Sequence, residues 1–191
     1  MRPQKVEKEE LLGRLMTVIR AKGYDGASLN DLAEASGLKK ASLYHRYPGG
    51  KKDIAVSVMQ YADEWAKAHV FDILQDSSKK PKTRIRTAVQ NIRALYEDGE
   101  AICIIRALTT ENGLSLFGDE LKDTVQDWLI HFSQFGQEVG LSKKAAEELS
   151  MNTVIGIQGS LVVAKALRSK EPFLNAMQEI ENNYLKLLQI K

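Results

Sequence analysis

Between Lys39 and Lys51 the chain reads KKASLYHRYPGGK, a run in which hydrogen-bond donors outnumber everything else. Lys40, Ser42, Tyr44, His45 and Arg46 carry N–H or O–H groups, and no carboxylate interrupts them. Donors of this kind suit the acceptor-rich major-groove edge of guanine and the oxygens of a phosphate backbone. The methyl of Ala41 suits the C5 methyl of thymine. The chemistry on offer is recognition of a duplex.

Other chemistries lack their parts. No nucleophile stands beside a base, no carboxylates are paired for acid–base work, and Pro48-Gly49-Gly50-Lys51 lacks the GxxxxGK[ST] spacing of a phosphate loop. His69 and His131 have no second ligand at i+4 and no HExxH pattern, so no metal and no cofactor is expected, and the chain is not read as an enzyme. The single cysteine, Cys103, rules out an intrachain disulfide and points to a reducing, cytoplasmic setting. Flanked by Ile102 and Ile104, it reads as a small buried hydrophobe rather than a thiol sensor.

The donors need a scaffold. Ser28 is suited to N-cap a helix, with Asp31 at the third helical position, and Leu29, Leu32, Ala33 and Ala35 give it an apolar edge. Gly37 supplies the positive φ that ends this helix tightly, and Leu38 begins the turn. A second helix then runs from about Lys40 to Tyr47, with Leu43 and Tyr47 on one face. Helices this short must lean on a third, and a short turn containing Gly between them is the mark of a helix-turn-helix. The third is foreseen from about Lys5 to Lys22, where Leu11, Leu12, Leu15, Val18 and Ile19 recur at helical spacing before Gly23. Arg14, Arg20 and Lys22 read as a solvated face; Lys5 and Lys8 are candidates for the phosphate backbone, with solvation as their alternative.

Ser28, Leu29, Leu32, Ala33, Ser36, Gly37, Leu38, Leu43, Tyr44 and Tyr47, followed by Lys51, resemble the DNA-binding signature of the TetR family of transcriptional regulators. The resemblance covers about a quarter of the chain. Two positions depart from it: Lys39 stands where many members have a capping Ser, and Ala41 where many have Gly. The Pro-Gly-Gly-Lys ending resembles a subgroup that includes drug-resistance regulators. The resemblance implies that Lys40, Ala41, Ser42, Tyr44 and His45 approach base edges. It also implies that Ser28, Tyr47 and Lys51 hold phosphates, with Lys39 and Lys52 as further contacts.

Charge agrees with that polarity. Net charge is only +2, but residues 1–52 hold 11 Lys plus Arg against 6 Asp plus Glu, a balance of +5, and the remainder carries −3. A basic end on a mildly acidic body suits a nucleic-acid footprint confined to one end. The N-terminus lacks an apolar signal-peptide core, and no stretch has the ~18 apolar residues of a membrane span.

The remaining residues read as helices throughout. A long helix from Lys51 to about Gln75 carries Ile54, Val58, Tyr61, Ala62, Trp65, Ala68 and either Phe71 or Ile73 inward. Further helices follow from Pro81 to near Gly99 and from Ala101 to Thr110. A loop at Asn112-Gly113 and Phe117-Gly118 precedes a helix over Asp119 to Val139, then come Lys143 to about Arg168 and Glu171 to Leu188. The expectation is an all-α fold of about nine helices, with residues 1–52 as the helix-turn-helix domain and 53–191 as an effector-binding and dimerisation domain.

Tyr61, Trp65, His69, Tyr96, Cys103, Trp128, His131, Phe135 and Gln158 have the mixture of aromatic bulk and polar handles that surrounds a small apolar or aromatic effector. Ordinary core packing is the alternative for each. The resemblance implies a four-helix interface between two subunits, for which Ile155, Gly156, Gly159, Ser160, Val163, Met177, Ile180 and Tyr184 are the candidates. The whole reads as a ligand-responsive repressor that binds a palindromic operator as a homodimer. The alternative is a helical DNA-binding regulator without a small-molecule inducer, controlled by a protein partner.

Overall fold

A computed structural model describes residues 7–189; Lys5, expected near the backbone, lies outside them. The fold is all-α, with nine helices among the described residues. They are α1 (Lys8–Gly26), α2 (Leu29–Ser36), α3 (Lys40–Arg46), α4, α5 (Pro81–Leu95), α6 (Ile104–Leu108), α7 (Glu111–Glu138), α8 (Lys143–Leu167) and α9 (Glu171–Leu187). Helix α4 has three parts: Lys51–Ala66, a π-helical turn over Lys67–Phe71, and Asp72–Gln75.

The chain forms two compact units. The first takes in the described residues through Glu64 together with Ile104–Leu121; the second takes in Trp65–Cys103 and the described residues from Lys122 on. Compactness thus groups 53–64 and 104–121 with the N-terminal helices, where the sequence pattern suggests a single boundary after residue 52.

In the first unit, Leu11, Leu15 and Ile19 of α1 pack with Leu32, Leu43, Ile54, Val58, Leu108 and Phe117 in one buried cluster. Gly23, at φ 69°, breaks α1, and the Tyr24 ring that follows meets Phe117 edge-on at 5.0 Å. The loop foreseen at 112–118 is helical instead, with only Phe117 off helical geometry (φ −134°) and fully buried. Gly113 is needed here because a β-carbon would run into the Leu108 carbonyl oxygen.

In the second unit, Phe71 lies edge-on to Trp128 at 5.3 Å and flat on His131 at 4.2 Å, while Phe132 and Phe135 both pack on Tyr184. Helix α4 does not keep the period assumed for it. Ala68 is exposed and Phe71 buried, because the π turn absorbs one surplus residue and resets the phase. In unbroken α register Phe71 would stand about 140° from buried Ala66; with the surplus residue absorbed it stands roughly 40° away.

The link between α5 and α6 tightens through Glu97 and Asp98, both at positive φ, onto Gly99 at φ 102°. A β-carbon on Gly99 would sit 2.8 Å from the Phe173 Cβ. Replacing Gly99 with Ala is therefore expected to destabilise the second unit by about 1–3 kcal/mol, read as a lower midpoint in urea.

Candidate nucleic-acid interface

Residues 28–51 fold as two short helices on a common base, and each joint is made by a specific local bond. Ser28 caps α2 reciprocally: its hydroxyl oxygen accepts from the Asp31 N–H at 3.2 Å, and the Asp31 carboxylate accepts from the Ser28 N–H at 2.9 Å. Lys22, from α1, pairs with the same carboxylate at 2.6 Å. The Lys22 ammonium, with help from Ser28, holds the Asp31 carboxyl far below the usual carboxylate range. At the other end of α2, Gly37 takes the left-handed conformation at φ 69°. Buried Ser36 accepts from the Leu38 N–H at 3.2 Å and donates to the Ala33 carbonyl at 2.9 Å, so a hydroxyl shapes the turn from inside.

Helix α3 then begins at Lys39 with no side-chain cap, as expected of that residue. Leu43 alone among Lys40–Arg46 is buried. Lys40, Ala41, Ser42, Tyr44, His45 and Arg46 are all exposed, as are Ser28 and Lys39, and Tyr44 shows 48% of its surface. The structure therefore brings the proposed base-reading residues together on one solvent-facing helix. Arg46, exposed at the end of the same helix, adds a further cation beside them, signalled in the sequence by its charge and position.

Two candidates are placed otherwise. Tyr47 is 7% exposed and belongs to the core cluster, where burial raises its hydroxyl pKa. Lys51 is half-buried: its ammonium donates to the Tyr24 carbonyl at 2.7 Å and lies 4.4 Å from the centre of the Tyr24 ring. As placed, Lys51 ties the first turn of α4 to the end of α1, and Tyr47 sits in the core cluster. Lys52 is exposed.

The effector candidates are distributed over both units. Tyr61 lies in the first unit and the other eight in the second. Tyr96, Cys103, Trp128 and Phe135 are core, and the Tyr96 hydroxyl donates to the Cys103 sulfur at 3.4 Å. His69 is exposed and stacks on Trp65 at 4.4 Å; Trp65, His131 and Gln158 are partly exposed. None of the nine lines the 520 Å³ groove whose walls include Leu129, Ile130, Gln134, Ser150 and Met151.

The interface candidates divide by helix. On α8, Ile155, Gly159 and Val163 are exposed, Gly156 and Ser160 partly so, and Leu167, not foreseen, shows 65% of its surface. On α9, Met177, Ile180 and Tyr184 point into their own unit, and burial pushes the Tyr184 hydroxyl up to about 12. The stripe expected on α9 is monomer core, because its apolar residues are consumed in packing on neighbouring helices. No group of three or more His, Cys, Asp and Glu among the described residues is arranged for a metal ion, and no described helix is long and apolar enough to cross a membrane.

Residues 8–58 match the family model described as bacterial regulatory proteins, tetR family. Over 177 residues the chain is 23% identical to the HTH-type transcriptional regulator YxaF of Bacillus subtilis, covering 91% of this chain and 92% of that protein. A 51-residue stretch is 37% identical to the IcaR negative transcriptional regulator of the biofilm operon icaADBC in Staphylococcus aureus, 27% of each chain. The fold is similar to that of the TetR family regulator CifR, solved as a cysteine mutant complexed with a 26-base-pair operator duplex. There the TM-score is 0.73 at 21% identity, over 95% of this chain and 98% of that one.

Because Asp31 is held acidic only in the folded chain, it adds stability above about pH 4 that disappears as the pH falls toward its folded value. Urea melts between pH 6 and pH 3, taken with and without Asp31→Asn, are expected to show a shallower acid-side loss in the variant. Replacing Ser28 with Ala is expected to cost about 1 kcal/mol at neutral pH.

Proposed function

The chain is a DNA-binding transcriptional regulator of the TetR family, and from that premise we propose that it is a ligand-responsive repressor acting as a homodimer on a palindromic operator. The observation that carries the reading is the outward face of α3, where every residue but Leu43 meets solvent. In this reading Lys40 reads guanine, Ala41 meets a thymine methyl, and Ser42, Tyr44 and His45 meet neighbouring edges. Ser28, Lys39, Arg46 and Lys52 lie exposed around them for phosphates; Tyr47 and Lys51 position the helix from behind.

Symmetric reading of two half-sites needs two recognition helices at a fixed spacing. The apolar face of α8, with Ile155, Val163 and Leu167 around the open surface of Gly159, supports self-association there. Repression is supported by the negative regulator that a 51-residue stretch of the chain resembles. A small apolar or aromatic effector entering the second unit would release the operator by binding one subunit arrangement better than the other, with α4 carrying the change.

Selection of duplexes from genomic DNA by the purified protein, followed by gel-shift titration, tests the reading. Tyr44→Ala and Lys40→Ala are each expected to weaken the selected operator by roughly 1–3 kcal/mol, and the lysine change to lower the salt slope by about 1. Unchanged affinity in both would overturn the placement. Gly159→Arg is expected to give monomers in sedimentation velocity, and persistent dimers would move the interface elsewhere.

A further inference from the structure

Helix α8 keeps one apolar side out of its own unit. Met151, Ile155 and Val162 show 45, 59 and 45% of their surface, although Thr153, Ile157 and Leu161 among them are buried. With Glu148, Gln158 and Lys165 the exposed three form a line whose successive members stand 3, 4, 3, 4 and 3 residues apart. At about 100° per residue that line stays within about 100° of arc over the ~26 Å from Glu148 to Lys165. This is the seam spacing of a helix that pairs with another helix. Gly159 adjoins it with nothing within 4 Å of the place a β-carbon would take, so a second backbone can come close. Exposed Val163 and Leu167 flank that side.

The two ends of the seam carry opposite charge. Glu148 and Lys165 are both exposed, and neither has an ion-pair partner among the described residues. Laid against its own reverse, the seam matches at every step: position 148 meets 165, 151 meets 162 and 155 meets 158, all about one midpoint between Gly156 and Ile157. A parallel copy in register would set Glu148 on Glu148 and Lys165 on Lys165, where like charges repel. Antiparallel helices also oppose their macrodipoles. Helix α9 has no comparable stripe to add, because Phe173, Met177, Ile180 and Tyr184 are buried in its own unit. The chemistry this face fits is a second copy of itself, reversed.

We infer that α8 pairs with α8 of a second copy in antiparallel register, about a two-fold axis between Gly156 and Ile157. The inference rests on the homodimer reading above and supplies its register. Each Glu148 lies opposite Lys165 of the other copy, and each Met151 opposite its Val162. Ile155 packs beside Gln158 and over the open surface of Gly159. The apolar centre holds the pair together and the charges at its two ends fix direction.

Sedimentation and disulfide trapping of the full chain test the register. Glu148→Lys and Lys165→Glu each set like charges opposite one another twice, and each is expected to raise the dimer dissociation constant at least about tenfold. The double charge swap is expected to return it to within about threefold of wild type. In a chain with Cys103→Ser, Met151→Cys together with Val162→Cys is expected to give a covalent dimer on mild oxidation, and either substitution alone to give none. Within one chain those two positions are about 16 Å apart along the helix, too far for a disulfide. A wild-type dimer that ignores both single charge reversals, escapes trapping by the cysteine pair, or is trapped by Met151→Cys alone overturns the register and leaves the homodimer standing. A wild-type chain that sediments only as a monomer overturns the homodimer reading, and the register with it.

Discussion

A seven-residue helix has no stability of its own in water, and α3 holds its shape because Leu43 is buried in a core built by other elements. Burial of one leucine is worth about 1.5–3 kcal/mol, enough to fix a helix already started by the turn at Gly37. Every other side chain of α3 is thereby released for contact with something else. The capping of α2, the hydroxyl of Ser36 inside the turn, and the contact of Lys51 with Tyr24 all keep that single hydrophobic anchor in place. A DNA-reading surface requires this division of labour: one residue inward, the rest outward, and no dependence of the outward ones on the fold.

The second unit answers a different constraint. Its helices are long and bury rings and aliphatic chains in an extended aromatic core running from Phe71 through Trp128 and Phe132 to Tyr184. A core of that kind transmits displacement because close-packed rings have few alternative arrangements. The irregular turn of α4 and its bonds to α5 fall at the edge of this core, where polar side chains rather than rings decide the backbone path.

The longer helices and their order were legible because Leu, Ile and Val recur at helical spacing in them, and the turn at Gly37 carries its own conformational signature. The outward set on α3 was legible for the same reason, once Leu43 was taken as the inward residue. Periodicity failed where a residue's partner lies far along the chain. Tyr47 and Lys51 look like contacts by type, but their surroundings are set by Tyr24 and the α1 core. Met177, Ile180 and Tyr184 form a stripe that fits a partner subunit as well as it fits the helices they meet. The π turn has no sequence signal beyond a buried phenylalanine one step out of phase, and the return of 104–121 to the first unit has none at all.

Amide correlation spectra of the isotopically labelled full chain, titrated with duplex DNA at low salt, test the central claim most directly. The account predicts the largest shifts at Ser28 and across 39–46, with the amide of Leu43 moving less than those of its exposed neighbours. Shifts confined to other helices while 39–46 stays unmoved at saturating duplex would contradict it.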